Sequence, residues 1–197
     1  MRRPTDRAIA YANWLESLVN KNNLGQLAAL RRGLMHEEDQ MFALFSYIPP
    51  NFLAGLTPGW EERCFLMVAS LFSFHPKAYP VEELLSRRRN LGDSLRQYAM
   101  IKHMFIPVEQ KKEEGDDLPE TIKRRFEVLI SSPRSELLGH LRQTISLLKS
   151  EEIPVDWAQL LSDLLAWDWQ RNPVQWSWSR SFFVGHYDKE GENNNVS

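Results

Sequence analysis

One cysteine, Cys64, in 197 residues means that no internal disulfide can staple this chain, so a core must come from apolar packing. Cys64 falls in the most apolar stretch of the sequence, which predicts a buried structural thiol. With no recognisable secretory signal at the start, the reducing cytoplasm is the expected compartment. No apolar run approaches the roughly 20 residues needed to cross a bilayer, so no membrane is expected. Strand-like alternation is scarce, internal repeats are absent, and there is no glycine-rich phosphate loop. The five histidines, His36, His75, His103, His140 and His186, show no His-x-x-x-His or Cys/His spacing that would hold a metal.

The acidic clusters Glu37-Glu38-Asp39 and Glu113–Asp117 fall where solvated loops are expected, not on facing helices as a di-metal site needs. Three carboxylates lie near apolar runs: Asp156, Asp163 and Asp168. Asp156 reads as a helix cap and Asp163 as a salt-bridge or polar-face residue. His75, before Pro76, reads as a cap or surface residue. No nucleophile–base pair emerges, so the sequence predicts a protein that is not an enzyme, with no cofactor and no metal.

Charge of one sign is also lacking overall, since the net charge is −2, which argues against a general polyanion binder. Its distribution matters more. Residues 1–106 carry 13 Lys and Arg against 10 Asp and Glu, whereas 107–118 carry 2 against 5. Residues 119–184 balance at 8 against 8, and the tail from 185 carries 1 against 3. The acidity therefore sits in a charged linker and an Asn-rich tail, both expected to be mobile.

What the chain has in abundance is helical periodicity. Thr5 can cap a helix with Tyr11, Trp14, Leu15, Leu18 and Val19 inward. Asn23 starts a second with Leu24, Leu27 and Leu30 inward and Gly33 as a left-handed stop. Met41, Phe42 and Phe45 mark a third piece, ended by Pro49-Pro50. Thr57-Pro58 should open the next helix, with Glu61 and Glu62 in its first turn. From Cys64 to Phe72 only Ser70 is polar, so this helix is predicted to be buried nearly all round. Val81, Leu84 and Leu85 suggest a short helix running into Arg87-Arg88-Arg89, read as a helix end or loop. Leu91, Leu95, Tyr98 and Phe105 complete the first half.

The stretch from Leu118 to Trp169 reads as three successive helices. Pro119 suits a first helical position, and Ile122, Phe126, Leu129 and Ile130 form one buried stripe. Ser132-Pro133 restarts the chain for a helix burying Leu137, Leu138, Leu141, Ile145 and Leu148. Glu152-Ile153-Pro154 ends it, and Trp157, Leu160, Leu161 and Leu164 line the third. Asn172-Pro173 starts a last helix with Val174, Trp178 and Phe182 on one side and Gly185 as its stop.

This stretch is also where cations collect. Lys123-Arg124-Arg125 precede Phe126, Arg134 opens a helix, and Arg142 and Lys149, seven residues apart, share its polar side. Ser135 and Ser146 fall beside them. Cations and hydroxyls on one face suit phosphate contacts, although a solvated helix face has the same composition. Arg124 falls opposite the apolar stripe, while Arg125 lies nearer its edge and could brace the bundle. Arg31 and Arg32, in the last turn of the second helix, could serve phosphate or offset the helix dipole.

Several ordered segments resemble one known family. They are Leu30-Arg31-Arg32-Gly33, Trp60 opening a helix that ends Ala69-Ser70-Leu71-Phe72, Leu91-Gly92, and Arg124-Arg125-Phe126. They continue with His140-Leu141-Arg142-Gln143, Ile153-Pro154-Val155-Asp156-Trp157, and Ser179-Arg180-Ser181-Phe182-Phe183. In this order and spacing they resemble the CasB family, the small subunit of the type I-E CRISPR surveillance complex Cascade, over nearly the whole chain. Asp93 departs from the pattern, because the family often has a basic residue after the Leu-Gly pair.

The expected fold is therefore all-α: an N-terminal helical domain over 1–106, a charged linker over 107–118, a C-terminal helical bundle over 119–185 and a disordered tail over 186–197. The resemblance implies a non-catalytic subunit of an antiviral defence complex, with DNA cleavage left to a separate helicase-nuclease. It implies other Cascade subunits, guide RNA, target and displaced DNA of an R-loop, and a second copy of itself as partners. Arg31, Arg32, Arg63, Arg124, Arg125, Arg134, Arg142 and Lys149 are the expected nucleic-acid-binding residues. The other reading is a helical adaptor with only protein contacts, in which Trp176, Trp178 and the arginines are interface anchors.

Overall fold

The computed structural model describes residues 3–34, 38–105 and 118–185. Among them the regular structure is helical, apart from one isolated parallel bridge between Ala78 and Val155. The all-α class read from the sequence holds. The expected linker lies outside the described residues except for Leu118, which is buried, and so does the expected tail.

The first half contains α1 (Asp6–Asn20), α2 (Leu24–Arg31), α3 (Pro50–Leu53), α4 (Trp60–Phe74), α5 (Val81–Ser86) and α6 (Leu91–Met104). Two 3-10 segments, Arg32–Leu34 and Glu38–Tyr47, lie between α2 and α3. The second half contains α7 (Glu120–Ile130), α8 (Arg134–Ser150), α9 (Trp157–Leu165), α10 (Pro173–Ser179) and a closing π turn, Arg180–Val184.

Local start signals act largely as expected. The Thr5 hydroxyl accepts the Ala8 amide, Asn23 accepts that of Gln26, and Asp156 accepts that of Gln159. Each satisfies one of the orphan donors of a helix start. The start of α4 differs. Gly59, at φ 102°, is its cap residue, and Glu62 reaches back to accept the Gly59 amide at 3.1 Å while Glu61 accepts that of Thr57. Ser132 also differs: its hydroxyl donates to Val128 and Leu129 carbonyls, so it closes α7 and does not cap α8.

The axis of the molecule is α4, buried continuously from Cys64 to Ser73. Ser70 and Ser73 satisfy their hydroxyls on carbonyls one turn back, Leu66 and Ala69. Gly33 is not left-handed. It is a contact glycine, since a Cβ there would stand 2.3 Å from Ser70 Oγ and 2.5 Å from Leu44 Cδ1. Val19, Leu24 and Phe105, expected to pack inward, are exposed, as is Phe42; Val19, Leu24 and Phe105 stand at the ends of their helices, where the apolar stripe leaves the core.

The two halves share their interior. Helix α9 packs on α1 and α4, while α6 packs on α8 and on the π turn, so apolar side chains from both halves form one continuous core. Phe72 meets Trp157 edge-on at 5.5 Å, and Trp60 Nε1 donates to the Leu164 carbonyl at 3.0 Å. His75 is buried, not on the surface, and its Nε2 lies 2.7 Å from the Ile153 carbonyl across the seam. Burial holds its pKa below the usual histidine value.

Two further expectations are corrected near α10. Trp178 is fully buried, so it cannot anchor an external partner. Asp163 is buried as well and makes no salt bridge among the described residues. Its carboxylate accepts Trp178 Nε1 at 2.6 Å and Gln159 Nε2 at 2.7 Å, tying α9 to α10. Burial raises its pKa to about 7, against the two hydrogen bonds that lower it. Asp93 has a structural role too: it accepts the Asn90 amide in a reciprocal cap at the start of α6.

Two predictions come from this packing. A folded pKa above the unfolded one means that the native state holds the proton more tightly. Stability contributed by Asp163 is thus fully present below about pH 4 and lost as pH rises through about 7. Asp163→Asn keeps an acceptor for Trp178, so its melting temperature should fall less than that of the natural chain between pH 5 and 8. Equal slopes in the two melting profiles would contradict this account. Gly92 brings α6 against α10, where a Cβ would stand 2.3 Å from the Trp178 carbonyl oxygen. Gly92→Ala should cost about 1–3 kcal/mol by overpacking, and an unchanged denaturation midpoint would show that the contact yields.

Candidate nucleic-acid interface

A helix leaves its last carbonyls without intrahelical partners, and the dipole makes that end negative. At the end of α4 these carbonyls are surrounded by other helices, so the partners must come from them. The His75 amide closes the helix's own ladder on the Leu71 carbonyl, four residues back, and the carbonyls beyond it take donors from outside. Arg31, at the end of α2, donates Nε to the Ser73 carbonyl at 2.9 Å. Lys149, in the last turn of α8, donates Nζ to the Phe74 carbonyl at 2.8 Å and lies 4.1 Å from the Phe74 ring centroid.

Arg142 reaches from the same side of α8 to the Leu34 carbonyl at 2.9 Å. Leu34 ends the 3-10 turn that Arg32 begins, and Arg32 itself is exposed. The structure therefore gathers Arg31, Arg32, Arg142 and Lys149 where α2, the 3-10 turn, the end of α4 and α8 meet. None of the four forms an ion pair among the described residues, although Lys77, Arg89, Lys102 and Arg134 all do. A neutral carbonyl satisfies a donor but does not neutralise a cation, so these contacts leave the positive charge of Arg31, Arg142 and Lys149 in place.

The other four candidates lie elsewhere. Arg134 faces Asp168 at 2.6 Å and stacks on Trp60, 4.5 Å from its ring centroid. Its charge is offset by an acid that the sequence reading did not connect to it. Arg63, on α4, is half-buried and engaged by neighbouring groups. Arg124 and Arg125 are exposed on α7 and line a groove of about 430 Å³ with His140, Gln143 and Leu147 of α8. At about 100° per residue, Gln143 and Leu147 lie on the flank of α8 opposite Arg142 and Lys149. The cations expected to form one face are therefore divided between two flanks of the same helix.

The carboxylates considered for catalysis have structural partners. Asp156 caps α9, and burial raises its pKa to about 6. Asp163 holds Trp178. No group of three or more His, Cys, Asp or Glu is arranged to hold a metal among the described residues. No described helix is long and apolar enough to cross a membrane.

A family model described as CRISPR-associated protein Cse2 matches residues 26–183. The CRISPR-associated protein Cse2 of Thermus thermophilus is 22% identical over 187 residues, spanning 94% of this chain and 95% of that protein. The crystal structure of M. ruber CasB superposes with a TM-score of 0.71 at 27% identity, covering 91% of this chain and 94% of that one. A chain from a CRISPR RNA-guided surveillance complex shares the fold with a TM-score of 0.67 at 22% identity, covering 91% and 92%.

Because Arg31 and Lys149 cap α4, they serve folding as well as surface charge. Arg31→Ala and Lys149→Ala should each lower stability by about 1 kcal/mol, whereas Arg124→Ala should leave it within about 0.5 kcal/mol. Chemical denaturation of the three variants separates these cases, and equal midpoints would remove the capping role.

Proposed function

Since the chain belongs to the Cse2 family, we propose that it is the small, non-catalytic subunit of a CRISPR RNA-guided surveillance complex, holding nucleic acid by its backbone phosphates. The observation that carries this reading is the seam of Arg31, Arg32, Arg142 and Lys149, four cations without an acidic partner among the described residues. Bringing like charges together is unfavourable unless an anion completes the site, and a polyanionic backbone does so without reading bases.

In this reading the partners are the other subunits of the complex, the guide RNA, the target and displaced DNA strands, and a second copy of the chain, all in the cytoplasm. An unwound strand re-anneals unless it is held, and cations on rigid helices hold it without sequence preference. Arg124 and Arg125, on the opposite flank of α8, offer a second phosphate contact from the α7–α8 groove. The complex would leave cleavage to another protein. The adaptor reading loses Trp178 as an anchor, since it is fully buried.

The test is target-DNA binding by the assembled complex across a salt series. Each phosphate contact contributes about 0.9 to the slope of log affinity against log salt. A complex carrying Arg32→Ala and Arg142→Ala together should show a slope shallower by about two, equally on different target sequences. Lys189→Ala, beyond the described residues, serves as the control. Slopes that match this control would leave the seam without a role in binding.

A further inference from the structure

A second surface, containing none of the eight expected residues, combines cations with exposed aromatic rings. Trp176 is 74% exposed, an unusual state for so large an apolar side chain. Arg180 follows one helical turn later and therefore shares its face. Arg180 is exposed, and its guanidinium has no hydrogen bond or ion pair among the described residues. Here the chain makes its π turn, closed by the Gly185 amide on the Arg180 carbonyl at 3.2 Å. The wider turn keeps Phe182 buried, stacked on Phe126 at 4.2 Å, while Phe183 and Val184 emerge beside Trp176 and Arg180 around a surface depression of about 680 Å³. Single π turns are frequent at functional sites.

The depression continues into a basic cleft. Val184 and Gly185 also border a space of about 590 Å³ whose walls carry Arg87, Arg89 and Arg96 against Glu83 and Asp93. Arg89 pairs with Glu83 at 2.6 Å, and Arg87 lies 4.0 Å from Asp93. Arg96 faces no acid within ion-pair distance among the described residues. It donates instead to the Phe182 and Phe183 carbonyls at 2.8 and 3.2 Å, and a Cβ on Gly185 would stand 2.7 Å from its Nε. The guanidinium thus sits under the π turn at the junction of the two spaces.

Aromatic faces bordered by cations match a polyanion with exposed π-faces, which is single-stranded nucleic acid; a duplex keeps its base faces stacked on one another. We propose that Trp176 stacks a base of the displaced DNA strand while Arg180 and the Arg96 cleft follow its phosphates. The inference rests on the reading of this chain as a strand-holding subunit and names a second site for that strand, remote in sequence from the α8 seam.

The experiment uses the assembled complex and a target whose displaced strand carries 5-iodouracil, which photo-crosslinks to adjacent aromatic rings. The expected result is a crosslinked peptide containing Trp176, lost in Trp176→Ala and kept in Trp176→Phe. Trp176→Ala should weaken target binding by roughly five- to a hundredfold without changing the salt slope, whereas Arg180→Ala should make the slope shallower by about one. Abasic nucleotides in the displaced strand should cost the natural complex the same factor and the Trp176→Ala complex nothing. Crosslinks elsewhere in this chain but none in the Trp176 peptide, with natural affinity for Trp176→Ala and a salt slope still made shallower by Arg32→Ala and Arg142→Ala, would overturn the stacking site while leaving the phosphate seam intact. Loss of Trp176→Ala from the complex during assembly would overturn it in favour of a protein contact. An absence of crosslinks to this chain, together with salt slopes unmoved by Arg32→Ala and Arg142→Ala, would remove the strand-holding reading itself.

Discussion

The end of α4 is the constraint on which the rest depends. A helix buried nearly all round leaves carbonyls where water does not reach freely, and each unsatisfied one costs about 1–3 kcal/mol. The chain meets that demand with groups from two other helices, Arg31 from α2 and Lys149 from α8, just past the His75 amide that closes α4's own ladder. His75 then carries the connection onward to Ile153. These bonds fix α2 and α8 against the same helix end. They also oblige cations to gather there, and Arg142 on the Leu34 carbonyl extends the group along α8. Charge at the surface is thus a consequence of how the core ends.

That link gives the seam a property that a scattered basic surface lacks. Side chains tethered by one donor lose less freedom when a phosphate engages their remaining donors, so the order is prepared before binding. Among the described residues Arg142 uses Nη1 on Leu34 and Arg31 uses Nε on Ser73, and a guanidinium has further N–H groups beyond the one engaged. Arg134 contrasts with them. Its charge faces Asp168 and its plane lies on Trp60, an arrangement suited to joining α8 to α4 and to the segment after α9.

Much of this was legible in the sequence. The stripes of α7, α8 and α9, the caps Thr5, Asn23 and Asp156, the stop at Gly185 and the all-round burial of α4 follow from local chemistry and helical period. Contacts between distant segments were not. Gly33 reads as a left-handed stop because glycine often is one, yet its role is the close approach of Ser70 and Leu44. His75 and Asp163 look like surface or polar-face residues in their own segments, and only the meeting of α9, α10 and the end of α4 buries them. For the site, the period placed Arg142 and Lys149 on one side of α8. It could not show that Arg124 and Arg125 lie across the helix, or that Asp168 offsets Arg134. Trp176 and Trp178 read alike as interface anchors, and only the packed structure separates the exposed ring from the buried one.

The central claim is that the cations which close the end of α4 also seat nucleic-acid phosphate. A structure of the target-bound complex tests it most directly. The account predicts phosphate oxygens within hydrogen-bond reach of Arg32 and Arg142, with the Arg31–Ser73 and Lys149–Phe74 bonds kept. Phosphates everywhere more than about 8 Å from all four side chains, beyond the screening length at physiological salt, would contradict it.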